Sequence, residues 1–315
     1  MRWLDLAYSR LANRGGKFFA DGWGDPELLA TSLVRLGPPP PIRVSIVEEQ
    51  RFGDRVQQVG WFESPHPCLP AESRIATFQL VLPASRGPDT PVCVLLAATG
   101  DQGFESRLKL VALPLLRHGI GTAILENPFY GLRRPCRQVS TYVRSVSELW
   151  AMGMAAVGET RALLGWLKER GFQRLGVAGA SMGGQIASQA AALWPHPLAM
   201  CACVAPHSAE TVFLEGVLRN YCDWKRLGAD ARDRLRRQLQ GTDLRIFPCP
   251  PGTDSSIWIA AEADAYVHLS SCRTAHQAWP GSHLRLLRTG HVGAVLLHRQ
   301  VFLDGILESF KRLGA

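Results

Sequence analysis

The 315-residue sequence contains no G-x-G-x-x-G, no P-loop and no H-x-x-x-x-D. Neither a nucleotide cofactor nor an acyltransferase of the last type has a motif to rest on. Eight cysteines are present, but none stands in a CxxC pair, so no metal is expected. Cys93, Cys201 and Cys203 lie in apolar runs and read as small core residues, with reduced thiols inside a cell as the default. The first residues, MRWLDLAYSR, carry Arg2 and Asp5 and lack the apolar core of a secretory leader. Residues 1–20 set Arg2, Arg10, Arg14 and Lys17 against a single acid, Asp5, a balance that suggests a transit segment. Long uncharged runs are scarce. One, from Leu175 to Ala209, is long enough for a bilayer, but Gly176, Gly179, Gly183, Gly184, Pro195, Pro197 and Pro206 cut it into strand, turn, helix and strand. It reads as the centre of a buried sheet.

Hydrophobic residues make up 46% and charged residues 20%, which supports a large core and excludes disorder, collagen and coiled coil. The net charge of +8 is a mild excess that permits an anionic partner without requiring one.

The proline run from Pro38 to Pro41 separates an N-terminal arm, 1–41, from a main domain, 42–315. In that domain strands at 74–83, 91–100, 119–131, 174–181, 197–206, 257–264 and 283–290 alternate with helical patterns at 104–118, 141–170, 182–194 and 292–313. Ser140/Thr141 would cap the long helix and Gly171 would end it. The alternation implies a mostly parallel α/β sheet with helices on both faces. Residues 207–256 interrupt it. There Trp224, Leu227, Ala231, Leu235 and Leu239 form a helical stripe, as in a cap over the carboxyl ends of the strands, where ligands bind. Lys225, Arg226, Arg232, Arg234, Arg236 and Arg237 make the same segment basic. A solvated helix face explains that, and so does a surface for anionic lipid headgroups. No nucleic-acid motif accompanies it.

Gly179-Ala180-Ser181-Met182-Gly183 is a G-x-S-x-G between a predicted strand and a predicted helix. This context exposes a nucleophilic serine on a sharp turn at a helix N-terminus. A serine hydroxyl needs a base. Asp264 and His291 follow Ser181 in the order acid then base, each just past a strand, so the three side chains can meet at one sheet edge. Glu262 and Asp254 are rival acids, and His207 is a second histidine at that edge. The oxyanion hole is expected from the N–H of Met182 and from the turn Ala98-Thr99-Gly100-Asp101, with Gly100 allowing close approach and Asp101 donating.

GASMGG with the Ser-Asp-His order resembles the α/β-hydrolase superfamily. KFFADGWG, PVCVLLAATGD, LENPFYGLRRP and LGVAGASMGGQIAS followed by WPHP resemble the α/β-hydrolase domain-containing protein 18 family, from about residue 17 to the terminal helix. The resemblance implies a serine hydrolase with Ser181 as nucleophile, no cofactor, and a lipid acyl ester as substrate, with mitochondrial phospholipid such as cardiolipin as the candidate. The rival readings are an acyltransferase using the same residues and an inactive α/β-hydrolase scaffold.

Overall fold

The computed structural model describes residues 2–12 and 15–314; Arg14 of the basic N-terminal segment lies outside them. Strands β1 (Ser45–Arg51), β2 (Arg55–Glu63), β3 (Ile75–Pro83), β4 (Val92–Leu96), β5 (Gly121–Leu125), β6 (Leu175–Ala180), β7 (Ala199–Cys203), β8 (Ser256–Ala261) and β9 (His283–Leu287) form one sheet. Its order is β1-β2-β3-β5-β4-β6-β7-β8-β9. From β5 to β9 all neighbours run parallel, and β1 to β3 add an antiparallel edge. Every residue of β4, β5, β7 and β8 is buried, as strands covered on both faces must be.

The hairpin β1–β2 falls in a stretch to which the sequence assigns no element. Its signal is weak for a physical reason. β1 is exposed along its whole length, and the inward positions of β2 include Gln58 and Gly60 as well as Val56 and Phe62.

One face of the sheet packs on the long helix (Val146–Glu169), the helix Met182–Ala192 and the helix Leu269–Gln277, through residues such as Leu163, Ile186, Trp258 and Ala275. The other packs on residues 105–116 and the last helix, through Leu115, Ile257, Ile306 and Phe310. The long helix starts later than Ser140/Thr141. Ser145 caps it, accepting from the Glu148 N–H at 3.1 Å while Glu148 accepts from the Ser145 N–H at 3.3 Å. Gly171 follows with φ +94°, a conformation suited to glycine. The 105–116 helix is not uniform. Residues Leu108–Ala112 form a π turn beside Pro114, which has no N–H for the helical ladder. The terminal helix is also two pieces, His291–Leu296 and Arg299–Leu313.

In the 207–256 insertion, Leu227, Ala231, Leu235 and Leu239 are buried in a second core with Phe18, Phe19, Tyr142 and Phe213. Residues from the expected N-terminal arm therefore pack against the expected cap, and Phe18 also bridges Cys222. The basic residues face outward. Arg232 lies over the Trp224 ring at 4.7 Å, Arg234 over Trp23 at 3.9 Å, and Arg236 pairs with Glu210 and Asp233. Helix α1 (Arg2–Ala12) is turned the opposite way from an ordinary surface helix. It buries Asp5 and Ser9 and exposes Trp3, Leu6, Tyr8 and Leu11. No helix among the described residues is long and apolar enough to cross a membrane.

Candidate active site

Ser181 occupies the turn between β6 and the helix Met182–Ala192, with φ +55° and ψ −121°. A non-glycine residue in this region stores strain, which the surroundings must hold. They do so by close backbone packing. A Cβ on Gly183 would lie 2.5 Å from the Leu96 carbonyl oxygen and 2.9 Å from that of Ala97. A Cβ on Gly179 would collide with the backbone of Gly183. The Ser181 N–H is fixed by the Cys203 carbonyl at 2.8 Å. The Ser181 hydroxyl does not cap its own helix, and the side chain lines a cavity of about 550 Å³.

His291 lines the same cavity, at the start of the helix after β9. Its Nδ1 lies 2.7 Å from Oδ2 of Asp264. The other carboxylate oxygen, Oδ1, accepts from the N–H groups of Tyr266 and Val267, both at 2.8 Å. The Asp264 carboxylate is thus oriented by its own loop, and its side chain is fully buried. The Tyr266 ring lies against the imidazole, with centroids 4.8 Å apart. Burial by itself pushes the His291 pKa down. The charge of Asp264, its hydrogen bond and the charge of Asp5 outweigh that and hold it above the ordinary histidine value.

The rival acids lie elsewhere. Asp254 is exposed and pairs with His283 and Arg312, and Glu262 is exposed. His207 turns to Ser271, at 2.8 Å, and toward Asp243. Among the described residues no cluster of His, Cys, Asp and Glu could hold a metal ion.

The loop after β4 departs from expectation in one respect. Thr99, Gly100 and Asp101 all line the cavity near Met182, but the Asp101 N–H already donates to the Ala98 carbonyl at 3.1 Å. The tight turn consumes the donor that the sequence assigns to an oxyanion. The Asp101 carboxylate is also engaged, by Arg107 at 2.9 Å, while burial pushes its pKa up. Gly100, at φ +92°, makes the turn possible. The Met182 N–H, in the first turn of its helix, has no intrahelical acceptor. Tyr130 closes this corner. Burial pushes its phenol up, against hydrogen bonding from Gly100 and Thr99.

One residue at the site escapes sequence reasoning altogether. Asp5, fully buried, accepts hydrogen bonds from the N–H groups of Ala265 at 3.0 Å, His291 at 2.9 Å and Val292 at 2.9 Å. Nothing in the local sequence marks it. The only signal is an acid standing alone among apolar and basic residues.

A mostly parallel sheet with a strained serine turn after one strand and a His–Asp pair after two later strands defines an α/β-hydrolase. The chain belongs to the alpha/beta hydrolase domain containing 18 family, whose model matches residues 16–240 and 228–312. Among solved structures it is similar to an acetyl xylan esterase from Paenibacillus sp. R4, at 17% identity and TM-score 0.60, covering 87% of this chain and 90% of that one. An S-formylglutathione hydrolase from Agrobacterium tumefaciens matches at 15% identity and TM-score 0.59, over 86% of this chain and 100% of that chain. A cold-adapted esterase from an Arctic intertidal metagenomic library matches at 15% identity and TM-score 0.57, over 84% and 97%. These likenesses establish the shared fold.

Proposed function

We propose that the protein is a carboxylic ester hydrolase that cleaves a lipid acyl ester through an acyl-Ser181 intermediate. The observation that carries the reading is the joint position of Ser181 and His291 on one cavity of about 550 Å³ with mostly apolar walls, Phe18, Leu33, Met152, Ile186, Phe213 and Phe302 among them. Asp264 accepts the Nδ1 proton of His291, which leaves Nε2 as the base. His291 takes the proton of Ser181 as Oγ attacks the acyl carbon. The N–H of Met182 stabilises the oxyanion, beside the Thr99 end of the loop after β4. His291 then gives its proton to the departing alcohol, and water releases the acid by the same steps.

A membrane phospholipid, with mitochondrial cardiolipin as the finer reading, fits the apolar cavity and the family. Helix α1 supports contact with a lipid surface. Its exposed side carries Trp3 at 69% and Leu11 at 63% exposure with Arg2 and Arg10, and Tyr8 and Ala12 reach the cavity. It is better suited to this than the cap, where Arg232, Arg234 and Arg236 are engaged with neighbours. The test is labelling by a fluorophosphonate together with lipid profiling of cells carrying wild-type or Ser181→Ala protein. A labelled Ser181 with an acyl lipid that accumulates only in the mutant supports the reading. An unlabelled Ser181 refutes it. Product formed only when an alcohol or lysolipid acceptor is added would favour acyl transfer.

A further inference from the structure

We propose that Asp5 is a positioning residue of the active site: it clamps the loop that carries Asp264 to the helix that carries His291. The inference rests on the reading of Ser181, Asp264 and His291 as nucleophile, acid and base.

Three observations carry it. The single carboxylate of Asp5 accepts from Ala265, next to the acid, and from His291 and Val292, the base and its successor. The N–H groups of His291 and Val292 open a helix and have no intrahelical acceptor, and the N–H of Ala265 lies in a buried loop, so each would otherwise be a buried donor without a partner. The second observation comes from the opposite side. A Cβ on Gly290 would lie 2.8 Å from both carboxylate oxygens of Asp5, so the residue before the base is one that leaves room for the clamp. The third is that α1 turns its polar stripe, Asp5 and Ser9, inward and leaves apolar side chains outside. Polar contacts rather than apolar burial dominate the seating of this helix, the Asp5 carboxylate with three of them.

Holding both loops from one point fixes the line from Asp264 to His291 and hence the reach of Nε2. The titratable groups facing His291 are Asp264 from the loop after β8, Asp5 from α1, and Tyr266 beside the ring. Asp5 also adds negative charge, which favours the imidazolium.

The test measures the rate at which a fluorophosphonate labels Ser181, as a function of pH, in the full chain. Asp5→Asn should lower the plateau rate by about 10²-fold, the scale of a misplaced base. It should also move the acid limb to lower pH, since one negative charge near His291 is gone. Gly290→Ala, which pushes on the carboxylate from the other side, should slow labelling too. In an Asp5→Ala background the added methyl meets no carboxylate, so Gly290→Ala should cost nothing further. If folded Asp5→Asn labels at the wild-type rate with an unmoved acid limb and only a lower Tm, Asp5 is a structural anchor and the proposal is overturned. Should Asp5→Asn fail to fold, a wild-type rate in Gly290→Ala overturns it instead. If Ser181 of the wild-type protein does not label, the proposed function itself fails, and this inference falls with it.

Discussion

Oδ2 of Asp264 sits 2.7 Å from Nδ1 of His291, while Oδ1 of the same carboxylate is tied to two backbone N–H groups of its own loop. The carboxylate therefore has one oxygen left for the imidazole, and Asp264→Asn would present the wrong hydrogen-bonding atom to it. Its kcat should fall by about 10³–10⁴-fold. Glu262→Gln and Asp254→Asn, on exposed carboxylates away from the cavity, should keep wild-type activity. Steady-state kinetics of the three variants on one small ester checks this. Inactivation by either exposed substitution with an active Asp264→Asn would reassign the acid.

Ser181→Ala should lower kcat by roughly 10⁴-fold or more, because the remaining groups act as a unit with the nucleophile. Ser181→Gly should be equally inactive yet at least as heat-stable as wild type. Its φ of +55° costs a serine of order 1–3 kcal/mol and a glycine little. Calorimetry of the two variants separates lost chemistry from released strain. A Ser181→Gly that melts well below wild type would show that the turn is unstrained.

With the His291 pKa held above the ordinary value of 6.5, kcat/KM should fall with decreasing pH through a midpoint above 6.5, as the base becomes protonated. The same shift affects stability in the opposite sense. A raised folded-state pKa adds stability that is complete below the unfolded value and is lost as pH rises through the folded value. The stability of wild type relative to His291→Gln should therefore decline across that window. Urea unfolding of both proteins over a pH series measures it, and a difference that grows with pH would contradict the assignment.

Replacing Trp3, Leu6 and Leu11 together by Ser should weaken binding to anionic vesicles while leaving hydrolysis of a small soluble ester almost unchanged. These side chains are exposed and do not line the cavity. Arg2 and Arg10 should add about 1 kcal/mol each on an anionic surface, so binding should fall as salt rises. Vesicle co-sedimentation at two salt concentrations decides it. Equal sedimentation of wild type and the triple variant would remove α1 from the membrane contact.

The strands that bury both faces were legible because their apolar runs are continuous, and the serine turn because its glycines stand where backbone meets backbone. Ser181, Asp264 and His291 stand out in chain order because each follows a strand, and the fold sets Asp264 against His291 and puts His291 on the cavity of Ser181. What was not legible depended on contacts far apart in sequence. The Asp101 N–H is spent by a turn whose hydrogen bond no spacing reveals. The hairpin β1–β2 alternates only weakly. The long helix is capped at Ser145 rather than Ser140 or Thr141 because Ser145 alone has Glu148 three residues on to complete the capping box. Asp5 was invisible because its role exists only once residues 265 and 290–292 are beside it.

That last contact joins residues 286 apart in sequence. During synthesis α1 is made long before residues 265 and 290–292 and must wait for them. Until then the serine turn can form, since β4, β6 and β7 precede it or follow closely, but the contact of Asp5 with His291 cannot. On the reading proposed above, the nucleophile is then built early, and the base is seated last by a carboxylate made long before it. The site should reach its full rate only when residue 5 and residues 290–292 have met.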